Sequence, residues 1–276
     1  MNKVNREVYE FYENGAEVGR LERGLGKVEA ERTKELLSRL LPEGQLNICD
    51  VGGGVGYYAD WLAAQGHTVT LIELAPAAVA YAKSHQSAPY RAEVGDARDL
   101  SMCKSDSIDA VLLMGPLYHL LEREDRLLAL REAKRILKPG GLLVAAGISK
   151  FSSATWAVSV YGAANDFLDD DVYFDMLEGE ILRHRHLRPK EYPNFLAEAY
   201  FHTPEELSGE CAAAGFSAPS LYAVEGCIWF CPTLQEKWDL PESRERLLKL
   251  IRMTEQEPSM LGISPHFLAV CKKPLS

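Results

Sequence analysis

The sequence predicts an α/β fold, a doubly wound and mostly parallel sheet with helices on both faces. Three observations carry the prediction. Short apolar or β-branched runs alternate with amphipathic helical stretches from Leu46 to Ile148, a glycine-dense turn (Gly52-Gly53-Gly54-Val55-Gly56) follows the first run, and a lone acid, Glu73, ends the second. Parallel neighbours need crossover connections, and helices supply them.

Residues 5–41 read as helical, with apolar positions three and four apart, ending at "LPEG". The strands are "LNICDV", "TVTLIE", "YRAEV", "SIDAVLLM" and "GLLVAAGI", with helices over Tyr57–Gln65, Ala77–His85 and Arg123–Leu137 between them. After Ser149 the rhythm breaks, and residues 150–200 read as an irregular or helical insertion. It returns with "TPEELSGECAAAGF", where Thr203 can cap, Pro204 fits the first helical position and Gly215 ends the helix. "APSLYAVEG" is a sixth strand, Cys227 to Gly262 a second insertion containing a helix, and "HFLAVCKK" a last strand.

A chain of 276 residues, 47% of them hydrophobic, can bury a core of ordinary globular size. Lys and Arg number 30 against 40 Asp and Glu, and the resulting −10 repels phosphate backbones and anionic membranes, which speaks against nucleic acid as partner. The six cysteines are scattered and no histidine pair accompanies the closest two, Cys227 and Cys231, so the expectation is reduced thiols and no metal. The charged start "MNKVNREVYEFYENG" lacks the apolar stretch of a signal peptide, and no run of about eighteen apolar residues occurs, so a soluble, cytoplasmic protein is expected.

Ligands bind such sheets outside the carboxyl ends of the strands, where the glycine turn bares backbone N–H groups at a helix start. Glu73 is placed to accept hydrogen bonds from two ribose hydroxyls, which implies an adenosine-type ligand. The turn alone also suits nicotinamide or flavin. Asp50, inside the motif, favours a cationic ligand and opposes a pyrophosphate.

The ordered series "DVGGGVG", "IELAP", "VGDARDL", "DAVLLMGPLYHL" and "RILKPGGLLVAAG" resembles class I S-adenosylmethionine-dependent methyltransferases over about residues 44–148, and the terminal strands extend the resemblance. It implies a seven-stranded sheet of order 3-2-1-4-5-7-6 with the last strand antiparallel. Residues 1–41 would be a helical lid, 42–149 and 203–276 the core (226–262 an insertion), and 150–202 a cap over the acceptor. The implied cofactor is S-adenosylmethionine, with S-adenosylhomocysteine as product. Asp50 would hold the methionine amino group directly or through water, Gly52 and Gly54 would line the methionine and ribose, and Glu73 would take the ribose hydroxyls. Leu74 would pack on the adenine, Asp96 and the Ala97 N–H would pair with its edge, and Met114 and Gly115 would run beside the donor methyl. Where several base and glutamine methylases carry Asn/Asp-Pro-Pro-Tyr/Phe, this chain has Met114-Gly115-Pro116-Leu117, which argues against a base amine as acceptor. The zinc-binding cysteines of some ribosomal-RNA methylases are absent.

Beyond the cofactor, His119 is the candidate general base, an imidazole suited near its ordinary pKa of about 6.5. Tyr12 is the lid residue expected at the methionine end, and Tyr118 a weaker candidate for substrate contact. Arg183 and Arg185, in the basic run "ILRHRHLRPK", are candidates to hold a carboxylate or phosphate on a small-molecule acceptor. Tyr200 and His202 are further candidate acceptor contacts. The expected activity is methylation of an oxygen or nitrogen of a small molecule; the alternatives are a donor-binding protein without chemistry and a methyltransferase acting on a macromolecule. A nicotinamide oxidoreductase would share the glycine turn but gives no account of "GDA" or "GPLYHL".

Overall fold

The computed structural model describes residues 6–159 and 166–275. Its strands are β1 (Asn47–Val51), β2 (Thr68–Glu73), β3 (Arg91–Val94), β4 (Ile108–Leu113), β5 (Leu137–Ile148), β6 (Ser220–Ala223) and β7 (His266–Lys272). They form one sheet of order β3-β2-β1-β4-β5-β7-β6, in which the first five pair in parallel and β7 runs antiparallel to both its neighbours. This is the order and polarity that the sequence motifs imply.

The helices in chain order are α1 (Arg6–Glu13), α2 (Gly26–Leu40), α3 (Tyr57–Ala64), α4 (Pro76–Ser84), α5 (Pro116–His119), α6 (Arg123–Ile136), α7 (Ser152–Ala157), α8 (Asp171–Arg183), α9 (Pro204–Ala213), α10 (Leu234–Asp239), α11 (Pro241–Thr254) and α12 (Pro258–Leu261). Central strands carry apolar residues on both faces because both faces are covered. Val111, Leu113 and Leu143 pack with Leu130, Ala133 and Phe267 on one side; Ile48, Leu71, Leu112 and Val144 pack with Leu37 and Leu62 on the other.

The helical pattern read at the amino terminus is interrupted in the structure. Among the described residues, α1 and α2 are separated where Gly15, Gly19 and Gly24 all take positive φ, and the chain turns through a short 3-10 segment at Arg20–Glu22 before α2 begins. Apolar spacing continues across those glycines, which hides the break. The segment after β5 holds α7, α8 and a two-residue ladder joining Arg185–His186 to Ala199–Tyr200. The α9 start is the capping box that Thr203 suggested: its side chain accepts from the Glu206 N–H while Glu206 accepts from the Thr203 N–H.

One buried ion pair fixes the frame beneath the site. The Arg126 guanidinium, on α6, donates to both carboxylate oxygens of Glu210 at 2.8–3.0 Å and to the carbonyls of Leu120 and Leu121 at 2.9 Å, and lies 3.8 Å from the Tyr200 ring centre. It ties the chain after α5 to α9. Hydrogen bonds from Arg126 and from His202 hold the Glu210 carboxyl below the usual range against the opposing effect of burial. Removing one partner strands a buried charge, so Arg126→Ala should cost about 3–5 kcal/mol of stability, measured by urea unfolding at pH 7.

Candidate functional site

The turn between β1 and α3 begins where Gly52 donates its N–H to Ile72 O at 2.7 Å, continuing the β1–β2 pairing for one more residue. Gly52, Gly54 and Gly56 take φ of +70°, +57° and +85°. The protein's own atoms account for most of these glycines. A Cβ at Gly52 would meet Pro116 Cγ at 2.4 Å, one at Gly53 would meet the Asp50 carboxylate at 2.4 Å, and one at Gly56 would meet the Tyr90 hydroxyl at 2.3 Å. At Gly54 the nearest contact is Glu17 Cγ at 3.3 Å, so there the left-handed backbone is the stronger demand.

Glu73 ends β2 with one oxygen accepting from the Gly54 N–H and the other from the Ala75 N–H, both at 3.0 Å. Burial raises its pKa, and these backbone donors oppose the shift. A carboxylate has about four acceptor positions, so each oxygen retains capacity for a ligand hydroxyl. Past β3, Asp96 accepts from the Arg98 backbone N–H and side chain; those bonds outweigh burial and hold its carboxyl low.

Three cavities meet at the carboxyl edge of the sheet. The first, of about 220 Å³, is lined by Gly52, Glu73, Leu74, Asp96, Ala97, Gly115 and His119, with Val8 and Tyr12 of α1 above it. The second, of about 460 Å³, runs along the glycine turn past Met114. The third, of about 440 Å³, lies beneath α7 and α8 with aromatic walls. Tyr12 lines all three, and Glu17, Arg20, Tyr118 and His266 line both the second and the third.

That junction is an ion network. Arg20 binds Glu17 at 2.9–3.0 Å and Glu29 at 2.6–2.9 Å, while His266 Nδ1 lies 2.7 Å from Glu225 and 3.9 Å from Glu29. Burial works against the charges of Arg20, Glu29 and His266, but the pairs win: Glu29 is held at about 2 and His266 is pushed up to about 9. The imidazole of His266 is therefore a cation at neutral pH. No local pattern announces this, because Glu225 and His266 are 41 positions apart and meet only through the antiparallel pairing of β6 with β7.

Residues 49–145 match the family model described as a methyltransferase domain. The chain carries a methyltransferase domain. Over 119 residues it is 34% identical to the ubiquinone biosynthesis O-methyltransferase of Xanthomonas oryzae pv. oryzae (strain PXO99A), an alignment covering 42% of this chain and 48% of that protein. The chain thus spans about half the length of the curated relatives it matches. In fold it resembles a SAM-dependent methyltransferase of Methanosarcina mazei, at a TM-score of 0.56 and 19% identity over 87% of this chain and 98% of that one. It also resembles the [4+2]-cyclase SpnF, at 0.53 and 18% over 90% and 81%. The fold is that of the class I methyltransferases, and the cyclase shows that the fold alone does not dictate the reaction.

The family's methyl donor is S-adenosylmethionine, and the residues present fit it. Glu73, Leu74, Asp96 and Ala97 share one cavity of the methyltransferase domain, and Met114, Gly52 and Gly54 line the adjoining one, which Gly115 also borders. Other expected residues sit elsewhere. Asp50 is buried behind Gly53, lines none of the three cavities and accepts no hydrogen bond from any described group, so direct contact with a donor amino group is not what its position offers. Arg183 and Arg185 line none of the three cavities either; Arg185 pairs with Glu122 at 2.9 Å. Tyr200 stacks on Arg126 and donates to Glu206, and His202 is fully buried beside Glu210, so both belong to the frame of the domain.

His119 is also corrected. Its Nδ1 faces Glu198 O at 3.3 Å, which only a donor can satisfy, so Nε2 is left to accept from the Tyr12 hydroxyl at 2.6 Å. Burial lowers its pKa to about 4. The base envisaged from the sequence has its lone pair engaged and little affinity for a proton. Tyr118 donates to Met114 O at 3.1 Å and stands between the second and third cavities.

Burial, with Glu73 nearby, raises the Asp50 pKa to about 7. A carboxyl raised from its unfolded value of about 3.9 contributes stability that is lost as pH climbs to the folded value. Asp50→Asn removes that titration. The stability of the variant relative to wild type should therefore fall by roughly 2–3 kcal/mol between pH 8 and pH 5. Urea unfolding at the two pH values checks this.

Proposed function

We propose that this chain is an S-adenosylmethionine-dependent methyltransferase that methylates a small molecule on oxygen or nitrogen. One observation carries the reading: cavities that group Glu73, Leu74, Asp96 and Ala97 with the glycine turn adjoin a separate aromatic cavity through Tyr12 and Tyr118. A transfer between two small molecules needs two such compartments meeting at one point. The name of the Xanthomonas relatives favours oxygen as the attacking atom.

The donor supplies an electrophilic methyl group on a sulfonium. The chain's residues bind, orient and exclude water around it. In this reading Glu73 accepts from the ribose hydroxyls with its remaining lone pairs, Leu74 packs on the adenine, and Asp96 with the Ala97 N–H meets its edge. Tyr12, held by His119, and Tyr118, held by Met114 O, flank the junction. His119 is then a positioning residue: it fixes the tyrosine that lines every compartment. Residues 1–41 serve as lid and 150–202 as cap, of which 1–5 and 160–165 lie outside the described residues. Helix α1 is held where Tyr12 donates to His119, where Glu13 accepts from the Ala77 N–H at 3.0 Å, and where Arg188 pairs with Glu7 at 3.0 Å. Among the described residues no helix is long and apolar enough to cross a membrane.

Titration calorimetry with S-adenosylhomocysteine, followed by mass spectrometry of small-molecule extracts for a gain of one methylene, tests the function. Binding without any methylated product would favour a donor-binding protein instead. Glu73→Gln, which sets an amide nitrogen against a backbone N–H and removes a charge, should weaken S-adenosylhomocysteine tenfold or more. Tyr12→Phe and His119→Ala should each slow turnover, and the double variant should be no slower than the worse single one, because both break one hydrogen bond. Additive losses in a kinetic double-mutant cycle would mean that the two act separately.

A further inference from the structure

The third cavity has a chemistry that the methyltransferase reading leaves unassigned. Its walls are aromatic, with Phe11 from the lid, Tyr118, and Trp156, Tyr173, Phe195 and Phe201 from the segments after β5. Rings Trp156, Tyr173 and Phe195 lie 6.0–6.5 Å apart, centre to centre, in tilted and edge-on arrangements. Flat apolar walls of this kind receive a ring, by offset or edge contact.

The charges on the same lining are unequal. Arg20, Arg23 and His266 bring cations to it, and Glu17 is the lone carboxylate among the described lining residues, with both oxygens already accepting from Arg20 Nε. The counter-ions of Arg20 and His266, Glu29 and Glu225, stand behind them and do not line the cavity. Arg23 has no acid at ion-pair distance among the described residues. It is exposed, and its recorded hydrogen bond is a long one of 3.4 Å to Val18 O. A guanidinium fork with free donors, lining a cavity with aromatic walls, matches a planar anion. A carboxylate conjugated to a ring is planar like the fork and can meet it with two parallel bonds, which favours it over a tetrahedral phosphate.

We propose that the aromatic cavity takes a ring-bearing acceptor that carries a carboxylate, and that Arg23 holds the carboxylate. The inference rests on the methyltransferase reading. It moves the anion-binding arginine from the run around Arg183 and Arg185 to the turn between α1 and α2, so that the lid itself recognises the acceptor.

The test is calorimetry on the full chain saturated with S-adenosylhomocysteine, using 3,4-dihydroxybenzoate as the anionic probe and 3,4-dihydroxybenzamide as its neutral counterpart. The acid should bind at least tenfold more tightly than the amide. Arg23→Gln should abolish that preference, Arg23→Lys should keep part of it, and the affinity for S-adenosylhomocysteine should be the same in all three proteins. Equal affinity for acid and amide in the wild type, no binding of the acid at millimolar concentration, or a preference unchanged in Arg23→Gln would each overturn the proposal. The nucleoside is titrated first, so its failure to bind wild-type protein would count against the methyltransferase reading and be told apart from a failure at Arg23.

Discussion

The site is organised by one carboxylate. Glu73 accepts a backbone N–H from the glycine turn on one oxygen and from Ala75 on the other, and so locks the turn after β1 to the end of β2. A buried anion satisfied by two backbone donors is a strong local constraint, because leaving either donor unpaired would cost the desolvation of that group. The first cavity inherits its shape from the clasp: one wall is the turn, another is the chain from Glu73 to Leu74, and the floor is completed by Gly115 from the end of β4. Parallel pairing of β1 with both β2 and β4 sets those three strand ends side by side.

Around that fixed edge the less regular parts of the chain are fastened by charge. Arg20, Glu17 and Glu29 join the turn of the lid to α2, and His266 with Glu225 adds the start of β7. The network is partly buried and each member is paired, which is the condition under which charges withdrawn from water are tolerated. Its position, between the glycine-turn cavity and the aromatic cavity, means that the lid cannot shift without disturbing charges that face both. Tyr12 adds a neutral link of the same kind through His119.

The sheet was legible because its central strands are largely apolar and most are separated by helices; Thr203 and Pro204 mark the start of theirs as the structure has it. The break in the lid was not, since apolar spacing runs on through Gly15, Gly19 and Gly24, and only their positive φ shows that the chain turns there. In the site, Glu73, Asp96 and Gly115 could be placed from motif order, being fixed to strand ends. Arg20, Arg23 and His266 could not, because what brings them to one cavity is contact between segments more than two hundred residues apart. The run around Arg183 and Arg185 misled for the complementary reason: a dense basic stretch is conspicuous in sequence, yet Arg185 spends its charge on Glu122 at the surface.

The glycine turn has a bearing on how such chains diverge. Pro116, the Asp50 carboxylate with Leu71, and the Tyr90 hydroxyl occupy the space that side chains at Gly52, Gly53 and Gly56 would need. Selection for a folded core is therefore enough to preserve those three glycines, even in a descendant that has abandoned its ancestral reaction. Retention of the motif in a lineage records the architecture it was inherited with; drift in the acids and tyrosines around it is where a change of trade would first be written.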